Sequence, residues 1–153
     1  MEDFVFMTHA CVNLQEMELT KEEMWVLIEG LGKNITQNLG SVELGKSIRV
    51  FVHDPQNKVM GGIAADVFDQ WAYISVLWVE ESLRNRGIGT KLIKILEKEA
   101  IKIGCKYAHV DTYSFEAKPL YERLGYEVFA TLEEYPKGHS KFFLKKRLVA
   151  KEI

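Results

Sequence analysis

The chain's architecture turns on VEESLRNRGIGTKLIKILEKEA (residues 79–100). An apolar run ends at Val79, Gly87 and Gly89 stand one residue apart, and a long periodic segment comes next. A helix N-terminus carries unpaired N–H groups and the positive end of the helix dipole, and phosphates bind there when the backbone comes close. Glycine permits that approach. Arg84-Asn85-Arg86-Gly87-Ile88-Gly89-Thr90 offers consecutive amide donors and two guanidiniums, a natural host for a diphosphate. Two familiar phosphate loops do not fit. The P-loop needs Gly-x-x-x-x-Gly-Lys-Ser/Thr. The dinucleotide loop needs a third glycine where Leu92 stands. On the glycines alone, a structural turn and a phosphate cradle are both open.

On either side of this stretch the pattern alternates helices and strands. GTKLIKILEKEAIKIG reads as helix, with Ile88, Leu92, Ile95, Leu96 and Ile103 as its buried stripe, its lysines outside it, and Gly104 at its end. Before it, WAYISVLWV is apolar on both faces and reads as a central strand. KSIRVFVHD alternates, with Ile48, Val50 and Val52 inward; a turn at Asp54-Pro55-Gln56-Asn57 leads to the returning strand KVMGGIAADVF. Gly61 and Gly62 there imply a bulge or a close backbone approach. TKEEMWVLIEGLGKNITQNLG reads as a first helix, with Thr20 and Glu23 as a capping box and a break or bend at Gly30 and Gly32. A short strand is expected near Phe4 to Met7.

After the long helix come the strand KYAHVDTY, a short helix in AKPLYERLG with Pro119 in its first turn and Gly125 at its exit, and the strands YEVFATLEE and SKFFLKKRL joined by YPKGH. The expected class is α+β (mixed α/β), one sheet with helices packed on it. No linker divides the 153 residues, so a single domain, 1–153, is expected.

Composition narrows the partners. A net charge of −2 makes no case for nucleic acid or an anionic membrane, and the basic run KFFLKKRL reads as the solvated face of a last strand. No apolar run approaches the ~20 residues that cross a bilayer. MEDFVFMTHA carries acids where a signal peptide needs cations. Two isolated cysteines, Cys11 and Cys105, fit a cytoplasmic protein with free thiols, and His9, His53 and His109 show no ligand spacing, so no metal is expected.

Arg84-x-x-Gly87-x-Gly89, after a buried strand and opening an amphipathic helix, resembles the acetyl-coenzyme A loop of the GNAT superfamily of N-acetyltransferases, whose signature is Arg/Gln-x-x-Gly-x-Gly/Ala. AKPLYERLGYEVF looks like the family's later motif, a short helix carrying Leu-Tyr-Glu-Lys-Leu-Gly-Phe and then a strand. The resemblance runs from about residue 46 to 148. The ending YPKGHSKFFLKKRL is similar to that of a bacterial GNAT subgroup often left without an assigned substrate.

The resemblance implies a mostly antiparallel twisted sheet of six or seven strands flanked by helices, with a splayed strand pair holding the coenzyme. It implies that the backbone N–H groups of Arg86, Gly87, Ile88, Gly89 and Thr90 hold the pyrophosphate, and that Leu77, Trp78 and Val79 pair with the pantetheine arm. Arg84 and Arg86 either neutralise phosphate or are plain loop charges. Tyr121 matches the family tyrosine, a phenol able to give a proton to the departing thiolate. Ser114 stands where relatives often have Asn, and is expected to reach the coenzyme arm. Phe115 and Lys118 either border the nucleotide end or serve packing and solvation.

No general base stands out. Some relatives carry a Glu where this chain has Ile74. Glu80, Glu133, Glu134 and His139 remain, with Glu134 and His139 flanking YPKGH, and a water chain is an alternative. The aromatic residues Phe68, Trp71, Tyr73 and Trp78 read as core, with an acceptor pocket or a homodimer contact as other uses. Cys105 ends the long helix, a poor place for a nucleophile. Two functions are open: direct acetyl transfer from acetyl-CoA to a primary amine of a small molecule, or a non-catalytic acyl-CoA-binding module acting in regulation or assembly.

Overall fold

The computed structural model describes residues 21–40 and 44–149, with the side chains of Leu44 and Gly45 left aside. The chain forms two units, Met1–Ser41 and Val42–Ile153. In the first, α1 spans Lys21–Leu39, with Glu22 and Glu23 in its first turn, where the helix dipole favours acids. It runs unbroken through Gly30 and Gly32, correcting the expected break. A glycine inside a helix costs only about 1 kcal/mol relative to alanine, which the rest of a long helix absorbs. The expected strand near Phe4 and the capping residue Thr20 lie outside the described residues.

The second unit holds β1 (Leu44–His53), β2 (Val59–Phe68), β3 (Trp71–Val79), α2 (Ile88–Lys102), β4 (Tyr107–Tyr113), α3 (Lys118–Arg123), β5 (Glu127–Glu133) and β6 (Ser140–Arg147). The strands form a six-stranded sheet in the order β1-β2-β3-β4-β6-β5. Every pairing is antiparallel except β3 with β4. The Asp54 turn forms as expected: its carboxylate accepts from the N–H groups of Gln56 and Lys58, both at 2.9 Å.

Alternation sorts the strands into two faces. Ile63, Ala65, Val67, Ala72, Ile74, Ala108, Val110 and Leu144 are buried on the face that receives α2. α2 meets it with Leu92, Ile93, Leu96 and Ala100. This corrects the expected stripe: Ile95 is only half-buried, and Ile103 is exposed beyond the last helical turn. At about 100° per residue, Leu92, Leu96, Ala100 and Ile93 share one arc of about 100°, and Ile95 lies about 60° outside it on the Leu92 side. Gly61 and Gly62 serve close backbone approach. A Cβ would stand 2.9 Å from the Trp78 carbonyl oxygen at Gly61, and 2.7 Å from that of Val50 at Gly62.

Two irregularities break the sheet's regularity at its centre. β3 pairs with β4 only from Trp71↔Tyr107 to Ile74↔Val110; beyond Ile74 the two parallel strands have no register. At the same point Ser75 is extra, since Ala64 pairs with Val76 and Ala65 with Ile74. Such a bulge bends and twists its strand and reverses its inside–outside alternation. Ala72 and Ile74 point into the core before it, and Leu77 and Val79 pack on the core after it. The sheet is therefore forked at its middle.

Candidate active site

The fork opens a cleft of about 730 Å3. One wall is β3 from Ile74 to Val79, and the other is Val110, Asp111 and Thr112 of β4. Its mouth is the loop before α2, and α3 closes its far side. Leu77, Trp78 and Val79 keep their β2 partners on one edge, while their other edge faces the gap. A polar chain such as a pantetheine arm finds strand-edge hydrogen-bonding groups there.

The two glycines do different work. Gly87 sits at φ 76°, ψ 7°, the left-handed region, as the residue that starts α2. Gly89 makes room for α3: a Cβ there would stand 3.1 Å from Leu120 Cδ2. The first hydrogen bond of the helix runs from the Lys91 N–H to the Gly87 carbonyl at 3.0 Å, and no side chain caps this end. The N–H groups of Ile88, Gly89 and Thr90 are thus without acceptors in the helix, and these three residues line the cleft. Uncapped donors and close approach fit a pyrophosphate. Arg84 also lines the cleft, and its Nε donates to the Val79 carbonyl at 2.9 Å, which ties the loop to β3. Arg86 is exposed and lies outside the cleft lining.

Tyr121 comes from α3, one residue after the leucine that rests on Gly89. It is 2 % exposed, lines the cleft, and packs edge-on against Tyr126 at 5.3 Å. Its hydroxyl has no protein hydrogen-bond partner among the described residues. Burial, and after it the Glu116 and Asp111 carboxylates, pushes the phenol well above its ordinary value, so it stays protonated. The start of α3 is pinned by Glu116, whose Oε2 accepts from Thr112 Oγ1 at 3.1 Å and from the Tyr113 N–H at 2.9 Å.

The remaining expected residues gather elsewhere. Ser114 Oγ accepts from the Ser140 N–H at 3.2 Å and lies 3.4 Å from His139 Nδ1, outside the cleft lining. His139 meets Phe115 edge-on at 4.9 Å. Glu134 uses Oε2 to accept from the Gly138 N–H at 3.1 Å, closing its own loop. Glu80 begins the short 3-10 turn before Arg84, with no side-chain cap. Cys105 is buried, and burial pushes its thiol up.

Sequence reasoning passed over Asp111. It accepts from the Tyr73 hydroxyl at 2.7 Å on Oδ1 and pairs with Lys141 Nζ at 3.0 Å on Oδ2. The available signal was an acid amid the alternating strand KYAHVDTY. Among the described residues no group of His, Cys, Asp and Glu could hold a metal ion, and no helix is long and apolar enough to cross a membrane.

Comparison with known proteins agrees with this geometry. Residues 17–126 match the model of the acetyltransferase (GNAT) family. The chain is 33% identical over 102 residues to acetyltransferase Atu2258 of Agrobacterium fabrum, across 67% of this chain and 74% of that one. It is 34% identical over 94 residues to the blasticidin-S acetyltransferase of Streptomyces morookaense, across 61% of this chain and 69% of that one. Among solved structures, an acetyltransferase from Bacillus cereus superposes with a TM-score of 0.75 at 28% identity, covering 86% of this chain and 95% of that one. An aminoglycoside 6'-N-acetyltransferase complexed with coenzyme A shares the fold, with a TM-score of 0.63 at 20% identity over 84% of this chain and 94% of that one. With a forked sheet, an uncapped helix start at the cleft mouth and these relatives, the chain belongs to the GNAT family of N-acetyltransferases, acyltransferases that take their acyl group from acetyl-coenzyme A.

Proposed function

We propose that the protein moves acetyl from acetyl-CoA directly to the primary amine of a small molecule, with Tyr121 as general acid. The observation that carries the reading is that one cleft joins the uncapped N–H groups of α2 to a buried, protonated phenol. The thioester supplies an activated acyl carbon when bound. The chain's own part is to bind, orient and move a proton. The N–H groups of Ile88, Gly89 and Thr90, with Arg84 behind them, hold the pyrophosphate, and the free edge of β3 at Leu77, Trp78 and Val79 orients the arm. The neutral amine forms the carbon–nitrogen bond as the carbon–sulfur bond breaks; Tyr121 gives its hydroxyl proton to the departing sulfur, and the proton the nitrogen sheds passes through water and restores the phenol. A small-molecule acceptor is supported by the blasticidin-S acetyltransferase among the relatives.

Ser114 and Glu134 hold the β4–α3 and β5–β6 connections in this reading, and His139 stands beside Ser114 outside the cleft lining. The whole chain, residues 1–153, is taken as one acetyltransferase domain, since the family match from 17 to 126 crosses the boundary between the two units. The test is release of free thiol from acetyl-CoA across a panel of amines, with acetylated product confirmed by mass. Coenzyme binding without turnover on any amine would support the non-catalytic module instead.

A further inference from the structure

The cleft reaches both faces of the sheet, and its second face carries a built polar site. Val110 is the last β4 residue paired with β3, so Asp111 is the first past the fork. Its parity sends it to the face away from α2, opposite the core-facing Val110 and Thr112. Asp111 nonetheless lines the same cleft as Tyr121. A carboxylate has about four lone-pair positions, and Tyr73 and Lys141 use two of Asp111's. Burial alone would raise its pKa, yet the hydrogen bonds from Tyr73 and Lys141 outweigh burial and hold it below the ordinary carboxylate value. Asp111 is therefore an ionised acceptor with room for another donor.

The surroundings are those of a cation site. Lys141 Nζ stands 5.5 Å from the ring centres of both Tyr113 and Tyr135, and 5.6 Å from that of Phe143. Rings at that distance attract an ammonium. The chain's own lysine shows that an alkylammonium is accommodated between these rings and Asp111.

We infer that the acceptor is a primary alkylammonium whose nitrogen donates to Asp111, in competition with Lys141, from the face of the sheet opposite α2. The inference rests on the transfer reading above. It makes Asp111 the acceptor anchor, Tyr73 the residue that holds its carboxylate in place, and Lys141 a built-in competitor. Two substitutions then act in opposite directions, which a merely structural cluster would not produce.

The test uses the full chain, acetyl-CoA, and cadaverine, spermidine and kanamycin as probe amines. The acceptor with the highest kcat/KM is then taken into the variants. Asp111→Asn is expected to raise the amine KM tenfold or more, with the acetyl-CoA KM within twofold. Lys141→Met is expected to lower the amine KM at least threefold. An amine KM within twofold in Asp111→Asn, or a rise in Lys141→Met, overturns the inference while wild-type transfer still stands. Should Asp111→Asn fail to fold, Lys141→Met decides alone, an unchanged or raised amine KM counting against. A wild type that binds acetyl-CoA in calorimetry but acetylates none of the amines refutes the transfer reading itself, and this inference with it.

Discussion

Replacing Tyr121 by Phe removes one oxygen and leaves the ring against Tyr126. The hydroxyl has no protein partner among the described residues, so its loss strands no buried donor or acceptor. Stability should change by less than about 1 kcal/mol. Activity is another matter. A positioned general acid contributes about 10²–10⁴-fold. Burial and the Glu116 carboxylate make this phenol a weaker acid than an ordinary tyrosine, and a thiol is more acidic still. A weak donor places the effect near the low end, about 10²-fold in kcat, or roughly 2.7 kcal/mol of barrier. Initial rates at saturating acetyl-CoA and amine, read with a thiol reagent, measure it. Calorimetry should give an acetyl-CoA affinity within about twofold of wild type, because the donors to the pyrophosphate are untouched. A kcat within threefold of wild type refutes the acid role. A loss of coenzyme affinity that matches the loss of rate would instead make Tyr121 a binding residue.

The geometry sets three further outcomes. Gly62→Ala puts a Cβ 2.7 Å from the Val50 carbonyl in the sheet interior, so urea unfolding should show a loss of about 1–3 kcal/mol. Gly87→Ala meets no atom but keeps a left-handed φ of 76°, so urea unfolding should show a loss of about 1 kcal/mol, and an unchanged stability would refute the strain. His109 lies stacked on Tyr73 and edge-on to Trp71, and burial lowers its pKa below the ordinary 6.5 despite the opposing pull of Asp111. The unfolded chain then binds the extra proton, so its contribution is complete above pH 6.5 and is lost as pH falls toward the folded value. Urea midpoints should drop between pH 7.5 and pH 5.5 in wild type and drop less in His109→Gln; equal drops would dismiss His109 as the source.

Much of the loop and helix start that line the cleft was legible because its causes are local. A glycine that must take positive φ, an uncapped helix start and an apolar strand before it are all decided within residues 71–104, and Arg84, Gly87, Gly89 and Thr90 are close enough in the chain to be read together. The placing of Tyr121 on a short helix bounded by Pro119 and Gly125 was legible for the same reason. The cluster around Asp111 was not. Tyr73, Asp111 and Lys141 come from three strands, and only the order β3-β4-β6 sets them side by side.

The order of residues along the chain settles which segments become strands and helices and which backbone could cradle a phosphate. Those depend on periodicity and on the conformations open to each residue. The parting of β3 and β4 after Ile74 arises only in three dimensions, because a bulge at Ser75 and a broken pairing belong to neighbouring strands at once. So do the yielding of Gly89 to Leu120, the turn of Ser114 toward His139, and the reach of Asp111 into the cleft from the opposite face. Each of these depends on which distant backbone lies within a few ångströms, a distance that no local pattern encodes.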